Sequence, residues 1–228
     1  MKTLKKGAIA LASIGLTIGL AGCGNEATKS SSSDDKDKPT VTDILNTDKK
    51  RQIIMTQDKG NTESPQVVWA GTIGDGKIEM HPYANKSDFE FDELNKLSMN
   101  DFKEKLKKED KDYENYGDNE QLKIYPKPAK TILQTDNGDT TKKVSFKMKE
   151  EGLGNDKDIF RFDGPEYSEI TQNNPDGWLG IKDSETSDVD PYVLYIKAEK
   201  GEDELSFEDA KKAKKEYDNV KVEKTYEE

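Results

Sequence analysis

The polar and apolar positions of the chain change their pattern twice before residue 40. Three lysines and no acid stand among the first six residues, and an almost purely apolar run follows at residues 7–22. A basic segment before a short apolar run is the layout of an export signal. At ~1.5 Å per residue, a helix over this run spans roughly 24 Å, short of a ~30 Å hydrocarbon core. We therefore expect residues 1–22 to be a signal peptide.

From residue 38 onward, apolar residues recur with the period of short strands. Val144, Phe146 and Met148 alternate with polar residues, as do Ile78 and Met80, and this alternation is typical of half-buried strands. Further short runs with strand composition lie at residues 51–55, 67–73, 122–125, 159–162, 192–196 and 220–222. The pair Asn137-Gly138 between residues 131–135 and 143–148 predicts a hairpin.

Two segments carry a helical period. Ser98 and Ser206 each stand three residues before an Asp, which predicts a capped helix start. Apolar residues then follow on one helical face in both segments: Met99, Phe102 and Leu106 after the first serine, and Phe207, Ala210, Ala213 and Tyr217 after the second. We expect one amphipathic helix at each place.

The chain repeats a set of short motifs in the same order. A Lys-Pro segment at residues 38–48 recurs at 127–136, and these pairs follow: Met55 and Met148, Trp69 and Trp178, Pro82-Tyr83 and Pro191-Tyr192, Leu97-Ser98 and Leu205-Ser206. Each match is weak alone, but their shared order predicts two tandem copies, 38–126 and 127–228. We expect an α+β fold of two similar modules, each a small antiparallel sheet with one amphipathic helix. Whether Thr42 caps a short helix over Ile44 and Leu45 in the first copy stays open.

The residues after the apolar run carry a specific signal. Leu20-Ala21-Gly22 precede Cys23, the only cysteine of the chain, and this arrangement resembles the bacterial lipobox. The resemblance implies cleavage after Gly22, a lipid anchor on Cys23, and a protein held on the extracellular face of the cell membrane. With one cysteine, the exported part has no internal disulfide.

Charge narrows the choice of partners. Residues 23–37 are rich in Ser and Asp without an apolar period, which predicts a flexible tether. Removing the three lysines of the signal lowers the formal net charge from −11 to −14. Such a balance argues against nucleic acid as a partner. It also predicts no attraction to anionic lipids, so that the acyl chains would be the only contact with the membrane.

The inventory of catalytic and metal-binding groups is thin. His81 is the only histidine, and its counterpart in the second copy is Asp190, so we interpret His81 as a surface residue. No Gly-x-Ser-x-Gly motif is present. The acidic loops at residues 136–139 and 183–190 lack the ligand spacing of an EF-hand, and we interpret them as turns and solvated charge. We expect no cofactor and no metal site.

The repeated aromatic residues Trp69, Tyr83, Trp178 and Tyr192 have two interpretations. Exposed, they would form a binding face for sugars or peptides, whereas buried they would anchor the cores. Because both copies must fold, we favour the core.

Taken together, several features of the chain resemble small lipoproteins of low-GC Gram-positive bacteria. These features are the lipobox, the acidic tether, the stretch 48–54 (Asp-Lys-Lys-Arg-Gln-Ile-Ile), Trp-x-Gly and Leu-Ser-x-x-Asp-x-Lys. The resemblance implies no known activity. We expect a non-enzymatic binding protein whose partner is a cell-surface protein, a peptide or a wall ligand. The alternative is a carboxylate-dependent hydrolase of cell wall or sugars.

Overall fold

A computed structural model describes most of the chain after residue 37. The described residues are 38–57, 64–83, 88–114, 124–136, 139–149, 159–160, 166–183 and 191–224, and all of them belong to one compact unit, Asp34–Glu228. The predicted signal peptide, Cys23 and the predicted tether lie outside the described residues.

Strands dominate the described part of the chain. The strands are β1 (Arg51–Gln57), β2 (Gln66–Gly74), β3 (Lys77–Pro82), β4 (Lys127–Thr135), β5 (Thr141–Lys149), β6 (Ile159–Phe160), β7 (Glu169–Ile170), β8 (Trp178–Lys182), β9 (Tyr192–Lys197) and β10 (Val220–Lys224). The helices are α1 (Val41–Asn46), α2 (Met99–Glu114) and α3 (Ala210–Glu216), with a short 3-10 helix at Phe91–Glu93.

The strands form one sheet whose two ends meet. Its order is β6-β5-β4-β3-β2-β1-β9-β8-β7, with β10 parallel to β4. Tyr167, two residues before β7, exchanges two backbone hydrogen bonds of 2.9 Å with Val144 of β5. This bridge joins the ends, so that eight strands, all except β6 and β10, form a nearly closed, barrel-like antiparallel sheet.

The prediction of two tandem α+β modules is wrong, because the structure is a mostly β fold with one shared sheet. β1 from the first predicted module pairs with β9 from the second along five residue pairs, from Ile53↔Ile196 to Gln57↔Tyr192. β3 also pairs with β4 across the predicted boundary at residues 126–127. The physical reason is that a small sheet leaves unpaired edges, and each half satisfies its edges with strands of the other.

The repeated motifs keep their order in the structure but not all of their conformations. The Lys-Pro segment that opens each copy is the helix α1 in the first copy and the strand β4 in the second. In α1 the amide of Asp43 donates to Thr40 Oγ1 at 3.1 Å, so Thr40 and not Thr42 is the cap. Both Ile44 and Leu45 are buried, as a helix over these residues requires.

Two hydrophobic clusters lie on opposite sides of the sheet. The interior cluster fills the barrel-like sheet and includes Ile53, while the outer cluster includes the next residue, Ile54. α2 covers the outer face of the sheet through Phe102 and Leu106, and both side chains are fully buried. Because a helix covers this face, residues on both sides of β1 are apolar and buried.

The two predicted helices are present, but only the first starts where predicted. Ser98 Oγ accepts the amide of Asp101 at 3.3 Å, which confirms the cap of α2. α3 begins later than predicted, with Asp209 as its cap. Ser206 is used elsewhere, since its amide donates to the carbonyl of Pro39 at 3.0 Å and its hydroxyl to the carbonyl of Lys38 at 3.1 Å.

Candidate functional site

The four repeated aromatic residues do not share a surface. Trp69, Tyr83 and Trp178 are buried, with exposed fractions of 3%, 0% and 2%, and Tyr192 is half-buried against the interior cluster. Trp69 points into the barrel-like sheet, where its Nε1–H donates to Met55 Sδ at 3.1 Å. These residues therefore form parts of the cores and not an exposed binding face.

Trp178 belongs to the outer cluster, although it aligns with Trp69 in the sequence repeat. Its ring packs edge-to-face on Phe91 at a centroid distance of 5.4 Å, and its Nε1–H donates to the carbonyl of Asn95 at 3.1 Å. Lys197 Nζ lies 4.6 Å from the ring centroid, within the range of a cation–π contact. Burial lowers the pKa of Lys197.

His81 is buried, which corrects its interpretation as a surface residue. Its exposed fraction is 6%, because β3 directs its side chain against α2. Nδ1 lies 2.9 Å from Asp110 Oδ2 of that helix, and Nε2 lies 3.4 Å from Glu79 Oε1, two residues back on β3. The imidazole is thus placed between two carboxylates.

Tyr83 extends this arrangement. Its hydroxyl lies 2.7 Å from Asp110 Oδ1 and 3.2 Å from the carbonyl of Leu106, so the phenol also joins the end of β3 to α2. We call Glu79, His81, Tyr83 and Asp110 the histidine network. The network lies between the sheet and α2, with His81 and Tyr83 buried and with Glu79 and Asp110 half-buried.

The electrostatics of the histidine network favour a charged imidazole. Burial opposes the charge, but hydrogen bonds with Asp110 and Glu79 outweigh it and raise the pKa of His81. The hydrogen bond from His81 in turn lowers the pKa of Glu79. Burial, together with the hydrogen bond to Asp110, raises the pKa of Tyr83. The network therefore favours the protonated form of His81 and the neutral form of Tyr83.

This geometry limits the chemistry that the histidine can perform. A general base needs a ring nitrogen with a free lone pair directed at a substrate, whereas both nitrogens of His81 face carboxylates. Among the described residues, no group of three or more His, Cys, Asp or Glu side chains is placed to hold a metal ion. Nor does any helix in the described part of the chain have the length and apolar character needed to cross a membrane.

A second buried carboxyl group lies just before α3. Glu208 has an exposed fraction of 4%, and its Oε1 accepts from the amide of Thr42 at 2.8 Å and from its hydroxyl at 2.7 Å. Oε2 is buried without a hydrogen-bond partner in the described residues. Burial raises the pKa of Glu208. This carboxyl group links α1 to the segment that leads into α3.

The sequence did not predict that Asp110 would contact His81 or that Glu208 would contact Thr42. Asp110 is one of many charged residues in the amphipathic helix α2, and Glu208 lies 166 positions from Thr42. The only available signal was the presence of a single histidine in an acidic chain. Comparison of the chain with models of protein families, with curated proteins and with solved structures gave no match. The geometry and the sequence therefore carry the functional argument.

Proposed function

We propose that this chain is a lipid-anchored protein of the extracellular membrane face that acts by binding and not by catalysis. The anchor rests on the sequence, where a signal-like run ends at Leu20-Ala21-Gly22-Cys23. The observation that supports a non-enzymatic role is the engagement of both His81 nitrogens by Asp110 and Glu79. A ring held in this way stabilises the packing of a helix and does not activate a nucleophile.

The alternative, a carboxylate-dependent hydrolase, is not favoured by a specific observation. Such enzymes present two carboxyl groups about 5–9.5 Å apart to the substrate. Glu208 has the raised pKa expected of a general acid, but it is buried and bound to Thr42. Glu79 and Asp110 face the imidazole that separates them. We therefore retain binding as the proposed activity.

The anchor is tested by expressing the full chain in a Gram-positive host and measuring the mass of its N-terminal peptide. We expect a peptide that begins at Cys23 and carries a diacylglyceryl group on sulfur. A Cys23→Ser chain is the matched control and should lack both the modification and the cleavage after residue 22. An unmodified wild-type Cys23 would contradict the proposal.

Binding is separated from catalysis by incubating the mature chain with wall fragments, short peptides and oligosaccharides. A ligand at 100 times its Kd should stabilise the fold by ~2.7 kcal/mol and raise the Tm by several degrees. The same mixtures are then analysed for products by mass spectrometry. A shift in Tm without new products supports a binding protein, and release of cleaved fragments would contradict it.

A further inference from the structure

A short antiparallel pair joins the start of β5 to the segment that leads into α3. Thr140 and Asp209 form a β-bridge, and at the next position the amide of Thr141 donates to the carbonyl of Glu208 at 3.3 Å. Residues directly opposite each other in such a pair place their side chains on the same face. Thr140 and Asp209 are exposed, whereas Thr141 and Glu208 are buried. The side chains of Thr141 and Glu208 therefore lie next to each other on the buried face.

Two more buried hydroxyl groups adjoin this pair. Thr135 of β4 is paired with Thr141 and is fully buried, and opposite residues again share a face. Thr42 of α1 is also fully buried, and its amide and hydroxyl both donate to Glu208 Oε1. We call Thr42, Thr135, Thr141 and Glu208 the Glu208 site. It combines one carboxyl group with three hydroxyl groups from four segments of the chain.

Two oxygen atoms of the Glu208 site have no hydrogen-bond partner in the described part of the chain. They are Glu208 Oε2 and Thr141 Oγ1, in residues that are only 4% and 2% exposed. A buried polar atom that lacks a partner lowers the stability of the fold, and a charged one lowers it most. Both oxygens therefore indicate a ligand that lies between them and binds to each.

The charge of Glu208 favours a cation as this ligand. No lysine or arginine among the described residues forms an ion pair with Glu208, and the charge that acts on it is that of a second carboxylate, Asp43. The comparably buried Glu109, 5% exposed, is instead paired with Lys105 at 3.0 Å. A buried carboxyl group in this situation takes up either a proton or a cation. A proton on Glu208 would leave Thr141 Oγ1 unpaired, because this oxygen is not within hydrogen-bond distance of Oε2, whereas a cation binds both oxygens.

We propose that Glu208 Oε2 and Thr141 Oγ1 bind a monovalent alkali cation. Carboxylate and hydroxyl oxygens are hard ligands that suit such an ion, and a single carboxylate balances a single positive charge. A divalent ion is not favoured, since the described residues contain no group of three or more acidic, His or Cys side chains placed to hold one. The bound cation would join α1, β5 and the segment before α3, and so stabilise their packing. This inference depends neither on the proposed anchor nor on the proposed binding activity.

The site is tested by urea denaturation of residues 23–228 carrying Cys23→Ser, which retain the whole compact unit 34–228. Sodium chloride is titrated at pH ~8 against N-methyl-D-glucamine chloride, whose organic cation is too large for a site between two adjacent side chains. The total ionic strength is kept constant so that screening does not change. We expect a saturable rise of the urea midpoint with Na⁺. At about ten times its Kd, Na⁺ should lower the equilibrium constant of unfolding roughly tenfold.

Variants separate the Glu208 site from general effects of salt. Glu208→Gln keeps an acceptor for Thr42 but removes the charge, and Thr141→Val removes the hydroxyl, so both should lose the saturable gain with Na⁺. Asp203→Asn removes one exposed carboxylate and is the matched control, which should keep the gain.

Sodium NMR on the folded proteins gives a second measurement that does not depend on unfolding. The wild type and Asp203→Asn should broaden the sodium signal, and Glu208→Gln should not. Equal midpoints of the wild type in the two salts, or a saturable gain that Glu208→Gln retains or that Asp203→Asn loses, would overturn the inference. The outcome is independent of the mass measurement on Cys23 and of the ligand mixtures, so this inference and the proposed function fail separately.

Discussion

His81 and Asp110 join the sheet to helix α2 through one imidazole and one carboxylate. Nδ1 of His81 lies 2.9 Å from Oδ2 and 3.1 Å from Oδ1 of Asp110, across 29 residues of sequence. Because Glu79 faces the other ring nitrogen, the ring is best satisfied when it donates from both nitrogens, as the imidazolium does. The packing of α2 is therefore coupled to the charge of His81.

The first prediction concerns pH. The pKa of His81 is raised in the folded state, so the folded protein binds more protons than the unfolded chain above pH ~6.5. This contribution is fully present below that pH and is lost as the pH rises through the folded pKa. The contribution of Glu79, whose pKa is lowered, is lost at the acid end instead. We therefore expect the urea concentration at the midpoint of unfolding to decrease as the pH is raised from ~6 to above the folded pKa of His81.

The control for this prediction is His81→Gln, which keeps hydrogen-bonding capacity but cannot take up the proton. At pH ~6 the variant should lose about 1.5–3 kcal/mol of unfolding free energy, the range of hydrogen bonds to charged groups. Its urea midpoint should also change less with pH than that of the wild type. A wild type and a variant with parallel pH profiles would show that His81 does not titrate in this way.

The second prediction concerns the buried carboxyl group of Glu208. Burial raises its pKa, so ionisation costs stability as the pH rises above ~4.5 towards the folded pKa. Glu208→Gln keeps an oxygen for Thr42 and removes the charge, and we expect it to be neutral or stabilising by about 1 kcal/mol at pH ~8. Glu208→Ala leaves the amide and hydroxyl of Thr42 without their acceptor and should cost about 1–3 kcal/mol. Chemical denaturation measures the unfolding free energy of both variants. A larger loss for Glu208→Gln than for Glu208→Ala would refute the prediction.

The third prediction concerns the two tryptophans. Both are buried, at 3% and 2% exposed, so we expect blue-shifted emission and weak quenching by iodide. Trp69→Ala and Trp178→Ala should each cost about 3–5 kcal/mol, as the truncation of a large core side chain does. Strong quenching of either tryptophan in a single-tryptophan variant (Trp69→Phe or Trp178→Phe) would instead indicate an exposed ring available to a ligand.

Sequence patterns predicted local structure better than the arrangement of the strands. The helical period after Ser98 predicted α2, and the structure confirms that Phe102 and Leu106 of this helix are buried. The turn signal at Asn137-Gly138 predicted the β4–β5 hairpin, whose strands pair as expected, although the two turn residues lie outside the described ones. These signals act over a few residues, where sequence spacing and spatial distance agree.

The arrangement of the strands and the site depended on contacts that spacing does not encode. Trp69 and Trp178 align in the repeat, but Trp69 packs in the interior cluster and Trp178 in the outer cluster. The repeat does not encode which face of a strand a residue takes. The burial of His81 required the position of α2 against β3, which brings Asp110 to the ring. Neither relation follows from a local period, so the repeat led to the wrong prediction of two tandem α+β modules.

The fourth prediction concerns the close approach of two strands. At Gly71 of β2, an added Cβ would overlap the carbonyl oxygen of Glu79 on β3. The overlap is with backbone, which cannot move aside as a side chain can, and we expect Gly71→Ala to cost about 3 kcal/mol or more. Gly201→Ala is the control, since its site is open and only its φ of +93° is unfavourable, and it should cost about 1 kcal/mol. Comparable unfolding free energies for the two variants would contradict the close packing at Gly71.

The last prediction tests whether the two halves of the chain fold together. Residues 38–126 and 127–228, expressed separately, should each lack a cooperative transition, because β1 loses its pairing with β9. Each half contains one tryptophan, and Trp178 is covered by Phe91 and Asn95 of the other half. We therefore expect red-shifted emission from the isolated second half, and a blue shift if the halves associate on mixing. An isolated half that melts cooperatively with a buried tryptophan would show that a single copy can close its own core, which the pairing of β1 with β9 argues against.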